Sequence, residues 1–171
     1  MLWIAVFCLT VLQVLTLEPP SDNCKKPWHN VKNPMKCCNI PKILKDEDFK
    51  ACGMDKAAMN DGETKPRPAD CDKQICLLQK YNLMKDENTI DKAAIAAFLD
   101  KWAEINADFK DAVEITKNKC LNGELMGPPN MCEAKRMSLC IITNIFRNCP
   151  KWEDTDDCAQ VKDFAEKCPP P

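Results

Sequence analysis

The chain has 171 residues, with 24 Lys+Arg against 26 Asp+Glu and a formal net charge of −2. No basic stripe or polybasic amphipathic helix interrupts that balance, which argues against nucleic acid and against a membrane-surface helix. Thirteen cysteines and one histidine, His29, make cysteine arithmetic the first useful reading.

Residues 1–17, MLWIAVFCLTVLQVLTL, contain no charged side chain and stop abruptly at Glu18-Pro19-Pro20. So short an apolar run at the start of the chain reads as a cleaved secretory signal, with residues 18–171 as one domain. A membrane span would need about 20 apolar residues. No second such run follows, so stable membrane insertion is not expected. Cys8 leaves with the signal. The twelve that remain are Cys24, Cys37, Cys38, Cys52, Cys71, Cys76, Cys120, Cys132, Cys140, Cys149, Cys158 and Cys168. An even count in an exported chain predicts six disulfides. Zinc is the competing account, but there is no repeated Cys-x2-Cys knuckle and only His29 to join the sulfurs. No metal and no cofactor are expected. No Asn-x-Ser/Thr sequon occurs either.

The elements read as helices with almost no strands. Pro41 opens a helix through about Lys50, with Ile43, Leu44 and Phe49 as core candidates. From Cys52 to Asp70 the chain reads as a loop. A helix over Asp70–Leu83 carries Cys71, Ile75, Leu78 and Asn82 at helical spacing. The strongest periodicity covers Thr89–Lys117, where Ile95, Phe98, Leu99, Trp102, Ile105, Phe109 and Val113 recur at three and four residues. Asn88 or Thr89 is the expected cap, and Asp91 suits the helix dipole.

Leu121–Asn130 is a loop whose glycines permit motion. Met131–Asn148 follows, opened by an Asn130/Glu133 capping-box pattern. Its second half, Leu139 to Phe146, is apolar on nearly all sides and so is expected inside, with Cys140 and Cys149 tying it to its neighbours. The acidic run Glu153–Asp157 reads as a solvated turn into a last helix over Thr155–Lys167. Cys158, Val161, Phe164 and Cys168 share one face of that helix. Pro169–Pro171 reads as extended. His29 is read as a surface loop residue rather than a pH switch.

The cysteine order resembles that of the insect odorant-binding proteins, which show an eight-residue gap between their fifth and sixth cysteines, as in Cys140-x8-Cys149. Cys71-x4-Cys76 looks like the second and third, although the six-cysteine form normally has three residues there. The 43-residue gap to Cys120 resembles the third-to-fourth spacing, and CLLQKYNLMKDENTIDKAAI looks like the family's helix-turn-helix stretch. Pro150 behind Cys149, with extra cysteines before and after the core set, resembles the Plus-C subclass. The resemblance implies an all-α bundle of about six or seven short helices around an apolar cavity, cross-linked by six disulfides. It also implies Cys71–Cys140 and Cys120–Cys149 bonds, and Cys76 joined to a first cysteine that is Cys37, Cys38 or Cys52. Cys132, Cys158 and Cys168 would then take the added N-terminal cysteines.

Other families fit less well. The Cys37-Cys38 pair occurs in plant lipid-transfer and storage albumins, but their Cys-x-Cys element is absent. A secreted phospholipase A2 would need a His-Asp pair beside it, whereas His29 precedes the pair and is followed by Asn30. Serine hydrolases need a nucleophile elbow, and none is present. The chain is therefore not expected to be an enzyme.

The family implies a carrier of odorants, pheromones or similar small hydrophobic compounds, in sensillar lymph or another secretory fluid. The partners expected are that ligand and, beyond it, a membrane receptor or a second copy in a homodimer. Candidate wall residues are Leu77, Leu78, Tyr81, Met84, Phe98, Leu99, Trp102, Met126, Met131, Met137, Ile141, Ile145 and Phe146. The thioether of Met adapts to different ligand shapes. The alternative is a secreted interaction protein of the same fold with a collapsed core, acting in defence, reproduction or saliva.

Overall fold

The computed structural model describes residues 24, 31, 33–54, 71–128 and 130–168. The proposed signal segment, His29, most of the 52–70 loop and the terminal prolines lie outside them. Six α-helices follow in order: α1 (Asp46–Ala51), α2 (Cys71–Lys80), α3 (Lys92–Ile105), α4 (Lys110–Asn122), α5 (Glu133–Arg147) and α6 (Asp156–Lys167). Short 3-10 turns cover Pro34–Cys37 and Ala107–Phe109. The only β pairing among the described residues is two isolated antiparallel bridges, Cys38 with Trp152 and Met84 with Ile90. The molecule is a compact all-α fold.

Helix α1 is shorter than the expected Pro41–Lys50. Tertiary hydrogen bonds hold the segment before it extended: the Trp102 indole N–H donates to the Lys42 carbonyl at 3.3 Å, and the Lys45 amide donates to the Tyr81 hydroxyl at 3.0 Å. Only beyond Lys45 does the backbone coil, with Asp46, Glu47 and Asp48 favourably placed in the first turn.

Helix α2 stops before Leu83 for a local reason. Asn82 is left-handed, at φ 54°. The amides of Asn82 and Leu83 turn back onto the carbonyls of Gln79 and Leu78 at 3.0 and 2.9 Å. This is a Schellman closure, and Asn tolerates its left-handed position.

The chain then makes a tight turn around Asp86, whose carboxylate accepts from the Asn88 and Thr89 amides at 2.9 and 2.8 Å. The helix-turn-helix expected of residues 76–95 is therefore present. Asp91, rather than Asn88 or Thr89, caps α3 by accepting from the Ala94 amide at 3.0 Å.

The long helix expected over Thr89–Lys117 is two helices. The break falls at Asn106 (φ −115°, ψ 65°), whose side-chain amide donates to the Trp102 carbonyl at 2.8 Å. Ile105, expected in the core, is 81% exposed at the corner. The apolar periodicity survives the break because Leu99 and Trp102 on one side, and Phe109 and Val113 on the other, enter the same core.

Helix α5 begins at Glu133. Its N-cap is Cys132 and no side chain caps it, so the Asn130/Glu133 box does not form. Nor is its second half enclosed all round: Leu139 is 40% exposed, while Cys140 and Ile145 are buried. Helix α6 matches its expected range, with Thr155 Oγ1 accepting from the Cys158 amide at 3.2 Å. Cys158, Val161 and Cys168 are buried along its inner face, and the residues Glu153–Asp157, which lead into and open its first turn, are exposed.

Helices α4 and α5 form the most extensive pair; α3 packs on α4, and α2 on α5. Helix α6 lies against the Pro34–Cys37 turn.

The disulfides correct the expected pairing. Cys71 joins Cys132 rather than Cys140, and Cys120 joins Cys140 rather than Cys149. Cys52 is the partner of Cys76. Cys149 instead pairs with Cys38, beside Cys37–Cys158 and Cys24–Cys168. All six Cα–Cα separations lie between 5.1 and 6.1 Å, within the range a disulfide spans. The eight-residue gap misdirected the assignment. With Cys132 and Cys140 as fifth and sixth, the implied order of bonds (first to third, second to fifth, fourth to sixth) is kept. The physical reason is placement: Cys140 faces α4 from the middle of α5 and is 2% exposed, whereas Cys149 lies beyond the end of α5.

Candidate ligand-binding site

Eleven of the thirteen candidate wall residues fall in one apolar cluster. Leu78, Leu99, Trp102, Met137, Ile145 and Phe146 are its buried members, while Tyr81, Met84, Phe98, Met126 and Ile141 are partly buried against them. Leu77 belongs to a separate small cluster with Cys52 and Met54, covered by Leu44 and Phe49. Met131 joins neither cluster. It packs beside Gly127, where a Cβ would come within 3.3 Å of its sulfur.

The set thus divides by depth. Leu99, Met137 and Ile145 are at most 1% exposed and close the interior. The partly buried group is only in part enclosed, and comes from the turn after α2, α3, the α4–α5 connection and α5.

Aromatic contacts fix the geometry of this group and of the core beneath it. Tyr81 and Phe98 meet edge-to-face at 5.4 Å between centroids, and Trp102 meets Phe109 at 5.3 Å. A third pair, Phe146 with Trp152 at 5.2 Å, seats the C-terminal segment on α5. Sequence reasoning left Phe109 and Trp152 out of the wall. Phe109 is marked by the helical periodicity, but Trp152, between Lys151 and Glu153, carries no periodic signal.

The polar groups are engaged elsewhere. The Tyr81 hydroxyl donates to Asp48 Oδ2 at 2.7 Å while accepting from the Lys45 amide. Burial pushes the Tyr81 phenol above its ordinary value, and its hydrogen bond holds the Asp48 carboxyl below the usual carboxylate value. Thr116 and Asn144, the buried polar residues of the core, donate to the carbonyls of Ala112 and Cys140 at 2.7 and 2.9 Å.

The α4–α5 connection is held from α5: Arg136 donates through Nε to the Met126 carbonyl at 3.3 Å, and through Nη2 to that of Leu125. Arg147 reaches the Cys168 carbonyl, and burial lowers the pKa of its guanidinium.

Among the described residues, no group of three or more His, Cys, Asp or Glu side chains is placed to hold a metal ion. No helix among them is long and apolar enough to cross a membrane.

No protein-family model matches the chain. A relative is found in Anopheles gambiae: general odorant-binding protein 68, 26% identical over 179 aligned residues, covering 94% of this chain and 82% of that protein. The chain is a distant homologue of that insect protein.

Proposed function

We propose that the protein is a secreted insect odorant-binding protein of the Plus-C type, carrying small hydrophobic molecules in extracellular fluid. The distant homology supports the family, and the disulfide-tied N- and C-terminal additions support the subclass. The observation that carries the ligand reading is the partly buried apolar group Tyr81, Met84, Phe98, Met126 and Ile141, packed on a sealed core. A ligand lodged there gains about 25 cal/mol for each Å² of apolar area removed from water. The disulfides Cys52–Cys76, Cys71–Cys132 and Cys120–Cys140 hold in place α2, α4 and α5, on or beside which all of this group but Phe98 lies.

The test is uptake of the fluorescent apolar probe N-phenyl-1-naphthylamine by the purified, oxidised protein, followed by displacement with volatile compounds. Saturable uptake at micromolar probe with competitive displacement is the expected result. No uptake would sink the carrier reading.

A second reading has an observation of its own. Leu99, Met137 and Ile145 are sealed at the centre, as in an interaction protein with a collapsed core. That protein would leave the probe in water.

A further inference from the structure

We infer that the ligand is recognised as a hydrocarbon skeleton without a hydrogen-bonding head group, an inference that rests on the carrier reading above. Of the thirteen wall residues, only Tyr81 and Trp102 carry a side-chain nitrogen or oxygen. Both turn that atom away from the other wall residues, toward the segment before and within α1. The Trp102 N–H donates to the Lys42 carbonyl, and the Tyr81 O–H to Asp48.

Deeper in the core, Thr116 and Asn144 donate within their own helices. Among the described residues, no buried side-chain nitrogen or oxygen lacks a partner. Arg136 is the cation beside the methionine part of the wall; one N–H on Nε and one on Nη2 hold the Met126 and Leu125 carbonyls, and the experiment below tests whether the rest of the guanidinium takes a head group. A ketone, ester or carboxylate entering this group leaves its water donors and meets, on the wall side chains themselves, only the engaged donors of Tyr81 and Trp102. An acceptor desolvated without a partner loses about a factor of ten or more in affinity. An ionised carboxylate loses more still.

The experiment compares limonene with carvone, carveol and perillate, which add a carbonyl, a hydroxyl and a carboxylate to closely similar skeletons. Each displaces N-phenyl-1-naphthylamine from the full oxidised protein at pH 7. The expected result is inhibition constants for carvone and carveol at least tenfold weaker than for limonene, with perillate weakest. Either oxygenated compound binding within tenfold of limonene overturns the inference while leaving the carrier reading intact. Tight binding of perillate that is lost in Arg136→Gln also overturns it, by assigning that guanidinium to a head group. Absence of probe uptake fails the carrier reading itself, and is seen before any of the four compounds is added.

Discussion

Two regions of this molecule use disulfides in opposite ways. Between Cys52 and Cys140 the bonds cross: Cys71 lies inside the Cys52–Cys76 loop, and Cys120 inside the Cys71–Cys132 loop. Outside them the bonds nest, Cys38–Cys149 within Cys37–Cys158 within Cys24–Cys168. Two of the crossing bonds join successive helices, α1 to α2 and α4 to α5, and Cys71–Cys132 ties α2 to the start of α5, so the three interlock and depend on the whole core having its shape. Nested bonds can close one after another from the inside outward, like a zipper. The inner end of that zipper is also marked by backbone pairing, with the Glu153 amide donating to the Cys37 carbonyl at 2.9 Å. Fold and candidate site therefore belong to the crossing set, while the nested set clamps the ends around it.

Mutations sharpen this contrast. The largest effect is expected in the crossing set. Cys120→Ala with Cys140→Ala removes a bond of sequence separation 20 whose two residues are 0% and 2% exposed. Loop entropy and lost packing together should lower unfolding stability by about 4 kcal/mol in urea titration.

Cys24→Ala with Cys168→Ala removes a bond of separation 144, which for an isolated loop would be worth about 5 kcal/mol. With Cys37–Cys158 intact, only two short stretches are freed, and the same titration should give about 3 kcal/mol or less. A loss near 5 would break the comparison, because the nested bonds would then act independently.

Tyr81→Phe tests the polar seam between the core and α1, and should cost about 1 kcal/mol near neutral pH. The Asp48 carboxyl sits below its ordinary 3.8 through the Tyr81 hydrogen bond. Its stabilisation is therefore complete above that value and is lost as pH falls through the lower folded value. The gap between the melting curves of the two proteins should narrow as the pH falls below 3.8, and a gap that does not change with acidification would remove Asp48 from the account.

The smallest effect is in the clamp. Thr155→Ala deletes the α6 cap and should cost about 0.5–1 kcal/mol by thermal melting.

Legibility in the sequence followed the range of the forces involved. Helix α6 could be read closely because Thr155, the acidic first turn and the Cys158–Val161–Cys168 stripe are all local signals. The turn at residues 84–90 was legible in the same way. The split at Asn106 was not, because apolar spacing continues through Ile105 and only the bend shows that this side chain faces water. The start of α1 was missed because Trp102 and Tyr81, far along the chain, take the backbone bonds that a helix would have used. The disulfide partners were assigned from a gap length, yet which sulfurs meet depends on α4 and α5 lying side by side. Six of the residues expected in the wall lie in the buried core, and which apolar side chains remain partly open is a property of packing that periodicity does not carry.

The Cys24–Cys168 bond has one more consequence, for handling the protein. Its two Cα atoms are 5.4 Å apart, less than the span of two extended residues. The described chain thus begins and ends at one spot. A circular permutant could be joined there by a linker of a few residues, and opened in a loop elsewhere, without changing which helices pack together. Tethering through either end would hold the protein by the same point, with the wall residues of α2, α3 and α5 in the same orientation both times.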